Sequence, residues 1–175
     1  MSAITIGSPL DPATEMGPLA SRAAYDKTLR YIAIGREEGA VVLTGGGRPA
    51  GLANEPGLFI SPTLFGGVRP EMTIAREEVF GPVLCALTWT DEEEAVKIAN
   101  AVPYGLTGSI WTNDLGRAHR VASALSAGYV SVNGMAALPP SAPFGGWNAS
   151  GHGVEGGRWG IEEFLRLKNV HVSLR

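Results

Sequence analysis

From Ser21 onward the chain alternates short aliphatic runs with amphipathic stretches at helical spacing. That order restricts it to an α/β architecture with a largely parallel sheet. A helix is expected from about Ser21 to Glu38, where Tyr25, Leu29 and Ile32 recur at four- and three-residue steps and Gly39 stands at the C-terminal cap. Val41-Val42-Leu43 reads as a short buried strand ended by Gly45-Gly46-Gly47. A β segment follows near Leu58 to Leu64, with Pro62 arguing for an edge or a break. Val83 to Trp89 is a further strand, and the Thr90 and Glu93 spacing of a capping box starts a helix that stops before Pro103. Gly108 to Trp111 is a strand. Asp114 caps a helix whose Leu115, Ala118, Val121, Ala122 and Leu125 share one face, and Tyr129 to Val132 is the next strand. Pro139 to Gly157 is loop, Ile161 to Leu167 a short helix, and Asn169 to Leu174 a strand with one apolar face.

At 175 residues, with 45% hydrophobic and 18% charged residues, the chain has the size and composition of one soluble globular domain. A net charge of -3 offers no basic surface for nucleic acid. Neither an apolar run long enough for a transmembrane helix nor a secretory leader is evident, so no membrane role is expected. One cysteine, Cys85, excludes an internal disulfide and fits a reducing, cytoplasmic setting.

Two glycine patterns invite a nucleotide reading. Gly151-His152-Gly153-Val154-Glu155-Gly156 is a literal G-x-G-x-x-G, but no strand precedes it and no acidic residue follows at the required distance. Gly45-Gly46-Gly47 follows a strand but opens no helix. Both read as turns. Cys85 sits in an apolar strand without a basic neighbour in sequence, the setting of an inert buried thiol rather than a nucleophile. His119, His152 and His171 lack metal-ligand spacing, and His119 falls on the polar side of its helix. No catalytic residue and no metal site is expected in this chain.

Specific strings carry further. Glu77-Glu78-Val79-Phe80-Gly81-Pro82-Val83 resembles the E-E-x-F-G-P-V signature of the NAD(P)-dependent aldehyde dehydrogenase superfamily. Pro9-Leu10-Asp11-Pro12 with Thr14, Met16, Gly17 and Pro18, then Ala99-Asn100, Tyr104-Gly105-Leu106 and Trp111-Thr112-Asn113-Asp114, match further blocks in the same order. So do Gly128, Val130, Val132 and Asn133, then Pro143-Phe144-Gly145-Gly146, Ser150-Gly151 and Gly153. The resemblance implies the C-terminal part of that family's three-layer catalytic domain over 1–166, and a terminal oligomerisation strand over 167–175. It implies that Glu78 accepts hydrogen bonds from the nicotinamide ribose and that Phe80 contacts the nicotinamide end of NAD or NADP. Asn133 and Phe144 match positions near the substrate tunnel, with packing or loop-fixing an equal alternative. The nucleophilic cysteine, the general-base glutamate, the oxyanion asparagine and the cofactor fold all lie upstream of Gly7 in the family. The chain alone is therefore expected to bind no cofactor and to be inactive. Asn148 stands where a lysine is usual and Val154 where an arginine is usual.

Two partners are implied: a second copy, or a complementary N-terminal chain supplying the missing half, with an aldehyde as substrate of the complete enzyme. A non-catalytic assembly module is the competing reading, because half of a packed domain exposes apolar surface. A small self-sufficient enzyme using Cys85 is a third. The identity of the aldehyde and the choice between NAD and NADP are not legible in these residues.

Overall fold

The structure is a computed structural model and describes residues 1–134 and 138–174. Its elements are α/β, in two compact units, Met1–Thr90 and Asp91–Arg175.

In the first unit, α1 (Arg22–Glu37) begins where Ser21 accepts a hydrogen bond from the Ala24 amide at 3.2 Å, satisfying one of the free donors of the first turn. It ends before Gly39, whose φ of +92° is open to glycine without strain. β1 (Val41–Thr44), β2 (Thr63–Gly66) and β3 (Val83–Cys85) form one sheet in that order, antiparallel between β1 and β2 and parallel between β2 and β3. β2 is Thr63–Gly66 and not the expected Leu58 to Leu64, because Pro62 lacks the amide a ladder needs and residues 58–62 before it stay irregular, and β3 stops at Cys85, short of the expected Trp89. β1 is not the buried strand its aliphatic run suggests. It lies at the sheet edge with Val41 and Leu43 exposed, and only the alternate face turns inward.

Phe65 on the central strand is fully buried, and Tyr31 and Ile32 of α1, Ile60, Met72, Ile74 and Val79 close around it. Each such aliphatic or aromatic side chain contributes about 1.5–3 kcal/mol by leaving water. The short α2 (Thr73–Arg76) has no cap from its own preceding residue. Glu38, 35 residues away, serves instead: its carboxylate accepts from the Thr73 amide at 2.8 Å and from the Thr73 hydroxyl at 2.6 Å.

In the second unit, α3 (Glu92–Ala99) is capped by Asp91, which accepts from the Glu94 amide at 2.8 Å. The capping residue is thus Asp91 rather than Thr90, since a carboxylate is the stronger acceptor at a helix start. β4 (Tyr104–Gly105) precedes β5 (Thr107–Ile110). Between β5 and β6 (Tyr129–Val132) runs α4 (Leu115–Ala124), capped by Asp114 through the Arg117 amide at 3.0 Å. β5 and β6 pair in parallel, with the Ser109 and Ser131 hydroxyls 2.9 Å apart across the ladder. On α4, Ala118 is buried as expected, but Leu115 is exposed. Glu92 of α3 receives Arg117 at 3.2 Å and Arg120 at 2.9 Å, joining the first turn of α3 to the first two turns of α4.

β7 (Trp147–Asn148) pairs with β4 antiparallel. Within the literal G-x-G-x-x-G, a Cβ at Gly156 would lie 2.3 Å from the Ala142 carbonyl oxygen, so this glycine permits backbone against backbone. Phe144 and Glu155 exchange both main-chain hydrogen bonds at 2.8 Å across the same loop. The glycines serve turns and close approach, as read from sequence.

α5 (Gly157–Glu162) starts and stops four or five residues ahead of the expected helix. Phe164, Leu165 and Leu167 beyond it are exposed, and a helix of this length needs an apolar face packed on something to persist. Asn169 to Leu174 forms no ladder with any described residue, because a strand exists only with a partner to receive its hydrogen bonds. Its Val170, Val172 and Leu174 are all exposed, and Arg175 lies outside the described residues.

A loop that presents a carboxylate and an aromatic ring

Six residues, Glu77 to Pro82, join α2 to β3, and nearly every one is fixed. The Glu77 amide donates to the Thr73 carbonyl at 2.9 Å, and its carboxylate accepts from the Tyr31 hydroxyl at 2.6 Å. Lys27 Nζ donates to the Glu78 carbonyl oxygen at 2.8 Å. Val79 is buried in the core. Gly81 lies against Thr28 so closely that a Cβ would come 2.4 Å from Thr28 Oγ1. The Pro82 carbonyl accepts from the Thr63 amide at 2.8 Å, at the start of the parallel β2–β3 ladder.

Two side chains are left outside this framework. The Glu78 carboxylate is exposed and has no hydrogen bond or ion pair among the described residues. Phe80 is 79% exposed with a φ of +52°, a left-handed backbone rare for a bulky residue. Such a conformation costs of order 1 kcal/mol or more and persists only where the surroundings enforce it. It turns the ring out between two inward-facing neighbours, Val79 and the Gly81 backbone. Together with Ile74, Leu84 and Cys85, these residues line an open cleft of about 410 Å³.

Glu78 and Phe80, singled out from the sequence, therefore share one loop and one cleft. Asn133 and Phe144 belong to the other unit. Asn133 also has a left-handed φ, +55°, and both ends of its amide are engaged: Oδ1 accepts from the Thr112 amide and Nδ2 donates to the Thr112 carbonyl, each at 2.8 Å. This side chain extends the β5–β6 ladder by one rung, which is loop-fixing. Phe144 is half-buried, edge-on to Tyr129 at 6.3 Å between ring centroids. Asn148, in place of the usual lysine, donates to the Ser126 hydroxyl at 3.1 Å.

Cys85 is half-buried on β3 with its thiol directed at the Ile74 carbonyl at 3.4 Å, and burial raises its pKa. That is the opposite of what a nucleophilic thiol requires. His119 is exposed. Among the described residues, no group of three or more His, Cys, Asp or Glu is placed to hold a metal ion, and no helix is long and apolar enough to cross a membrane.

Lys27, Thr28 and Tyr31 went unremarked in the sequence. They are 46 to 53 residues from the loop they hold, and within α1 they read as ordinary helix positions.

The pinned loop thus holds an exposed carboxylate and an exposed ring beside the parallel β2–β3 pair of an α/β unit. Comparison with known proteins gives the family. The aldehyde dehydrogenase family matches residues 1–170, and the chain belongs to that family. It is 47% identical over 171 residues to betaine aldehyde dehydrogenase of Agrobacterium fabrum, a match covering 98% of this chain and 34% of that protein. Among solved structures, NAD+-bound aldehyde dehydrogenase from Bacillus cereus superposes with a TM-score of 0.92 at 38% identity, over 99% of this chain and 35% of the other. Betaine aldehyde dehydrogenase from Staphylococcus aureus in complex with NAD+ gives a TM-score of 0.89 at 39% identity, over 93% of this chain and 32% of the other. The chain spans about a third of the length of these relatives, so it is a partial aldehyde dehydrogenase.

Proposed function

We propose that this chain supplies the C-terminal part of the catalytic domain of an enzyme that oxidises an aldehyde to a carboxylic acid with NAD or NADP. In that enzyme Glu78 accepts hydrogen bonds from the two hydroxyls of the nicotinamide ribose, and Phe80 sets the position of the nicotinamide end. The observation that carries this reading is the contrast within one loop: the residues around Glu78 and Phe80 are pinned, and these two side chains alone project without partners. An ionised carboxylate is acceptor-only and suits a diol, and an aromatic face or edge suits a flat heterocycle. The residues present thus fit the group. When bound, the cofactor supplies hydride acceptance, and this chain's share is to hold and orient it.

By itself the chain is expected to be inactive. The family's nucleophile and base correspond to no residue here, and the buried Cys85 thiol is a poor substitute. The rest of the fold is supplied by upstream sequence or by a separate N-terminal chain. The exposed apolar alternation of Val170, Val172 and Leu174 fits strand addition to the sheet edge of another subunit, giving an oligomer. A cytoplasmic setting suits the single free thiol.

The test combines NAD(P)-dependent turnover of an aldehyde panel that includes betaine aldehyde with calorimetric cofactor binding. Both are run on the purified chain and again on the chain assembled with the upstream part of the fold. Activity and binding only in the assembly, both weakened by Glu78→Ala, agree with this reading. Turnover by the isolated chain, or full cofactor affinity in the Glu78→Ala assembly, would overturn it. A pure assembly module would give oligomers with no turnover in either state.

A further inference from the structure

We propose that Tyr31 is a positioning residue for the cofactor: its hydroxyl, donated to the Glu77 carboxylate, holds the loop that carries Glu78 and Phe80. This rests on the reading of Glu78 as the ribose acceptor.

The ring of Tyr31 is buried in the core beside Ile32 and Phe65, where phenylalanine would pack equally well. A phenol there is useful only if its hydroxyl meets a partner, since an unmatched buried hydroxyl is costly. It does so at 2.6 Å, the short distance of a hydrogen bond to a charged acceptor. The acceptor is the residue directly before Glu78. α1 therefore grips the loop at three points: Tyr31 on Glu77, Lys27 on the Glu78 carbonyl, and Thr28 against Gly81. The last two lie at or after Glu78. Among the described residues Tyr31 supplies the only side-chain hydrogen bond on the N-terminal side, so without it the Glu78 carboxylate gains freedom that binding must then remove.

Tyr31 touches neither substrate nor cofactor, so its effect is expected in cofactor affinity and not in turnover. In the assembled enzyme, Tyr31→Phe is expected to raise the NAD dissociation constant, measured by calorimetry without aldehyde, and KM for NAD by about three- to tenfold, less than a whole charge-assisted hydrogen bond because the bond acts on Glu78 only through the loop. kcat is expected to change by less than about twofold, because groups at the reacting centre are untouched. Glu77→Ala should reproduce the loss, Glu77→Gln, which keeps an acceptor oxygen, should restore part of it, and Tyr31→Phe should add nothing in the Glu77→Ala background. In the isolated chain, Tyr31→Phe should speed hydrogen exchange at the Glu77 amide and leave that of Ile32 in α1 unchanged.

Unchanged NAD affinity in Tyr31→Phe, alongside weakened affinity in Glu78→Ala, would overturn the positioning role and leave the ribose assignment standing. Additive losses in the double variant, or equal falls in kcat and affinity, would likewise overturn it in favour of a general packing role. Unchanged affinity in Glu78→Ala would instead remove the reading on which the proposal rests.

Discussion

Gly81→Ala tests whether the close approach of the loop to α1 is a hard constraint. The added Cβ would lie 2.4 Å from Thr28 Oγ1, 3.0 Å from its Cγ2 and 3.3 Å from its Cβ. The first contact is roughly 1 Å inside a normal separation of about 3.5 Å. Thr28 cannot easily yield. It is fully buried, its hydroxyl is tied to the Ala24 carbonyl at 2.8 Å, and a β-branched residue on a helix has few rotamers. The φ of Gly81 is not left-handed, so alanine meets no backbone strain and the whole cost is steric. Overpacking of this kind destabilises by about 1–3 kcal/mol. Thr28→Ala removes the two nearest atoms and costs about 1 kcal/mol alone for the lost buried methyl and hydroxyl bond. The double variant should then sit near Thr28→Ala rather than at the sum, a coupling of about 1–3 kcal/mol. Native-state hydrogen exchange at the α1 amides across a urea series measures all four corners of the cycle. A Gly81→Ala cost below about 0.5 kcal/mol, or an additive double variant, would refute the argument.

Arg48 donates to three main-chain carbonyls, those of Leu52, Glu55 and Gly57, and stacks over Phe59. A lysine cannot reproduce that fork, so Arg48→Lys should cost about 1–2 kcal/mol and expose the 50–57 segment to limited proteolysis. Asp114 is held below the usual carboxylate range, chiefly by the Arg117 amide. Its folded pKa is lower than its unfolded one, so its contribution is complete above the unfolded value and disappears as pH falls through the folded value. Acidification should accelerate exchange of the Arg117 amide, and Asp114→Asn should flatten that dependence. Burial raises the Cys85 thiol, so labelling by a thiol reagent should be slow at neutral pH and quicken as pH rises; rapid labelling at neutral pH would reopen the case for a reactive nucleophile.

Local chemistry was the legible part of the fold. Asp114 and Gly39 act through neighbours a few residues away, and the structure uses them as the sequence suggests. β6 coincides with its expected span because Tyr129 to Val132 carries both strand propensity and a flanking glycine. What escaped depends on distance. Nothing in Glu38 announces that it caps a helix 35 residues away, and nothing in Val41 and Leu43 distinguishes an edge strand from a buried one. The tail from Asn169 to Leu174 has a strand's pattern without a strand's pairing, because the pattern is local and the partner is not. At the candidate site the motif string named Glu78 and Phe80, but the grip of Lys27, Thr28 and Tyr31 becomes visible only once α1 is packed against the loop.

The left-handed backbone at Phe80 has a consequence for anyone wishing to vary that position. Two requirements coincide there, one for a ring and one for a conformation, and substitutions separate them. Asparagine and glycine accept the conformation and discard the ring; valine and isoleucine remain hydrophobic and reject the conformation. Alanine disturbs both and is the least informative choice. A residue library read in those two columns would tell apart a loop that has lost its shape from one that has lost its ligand.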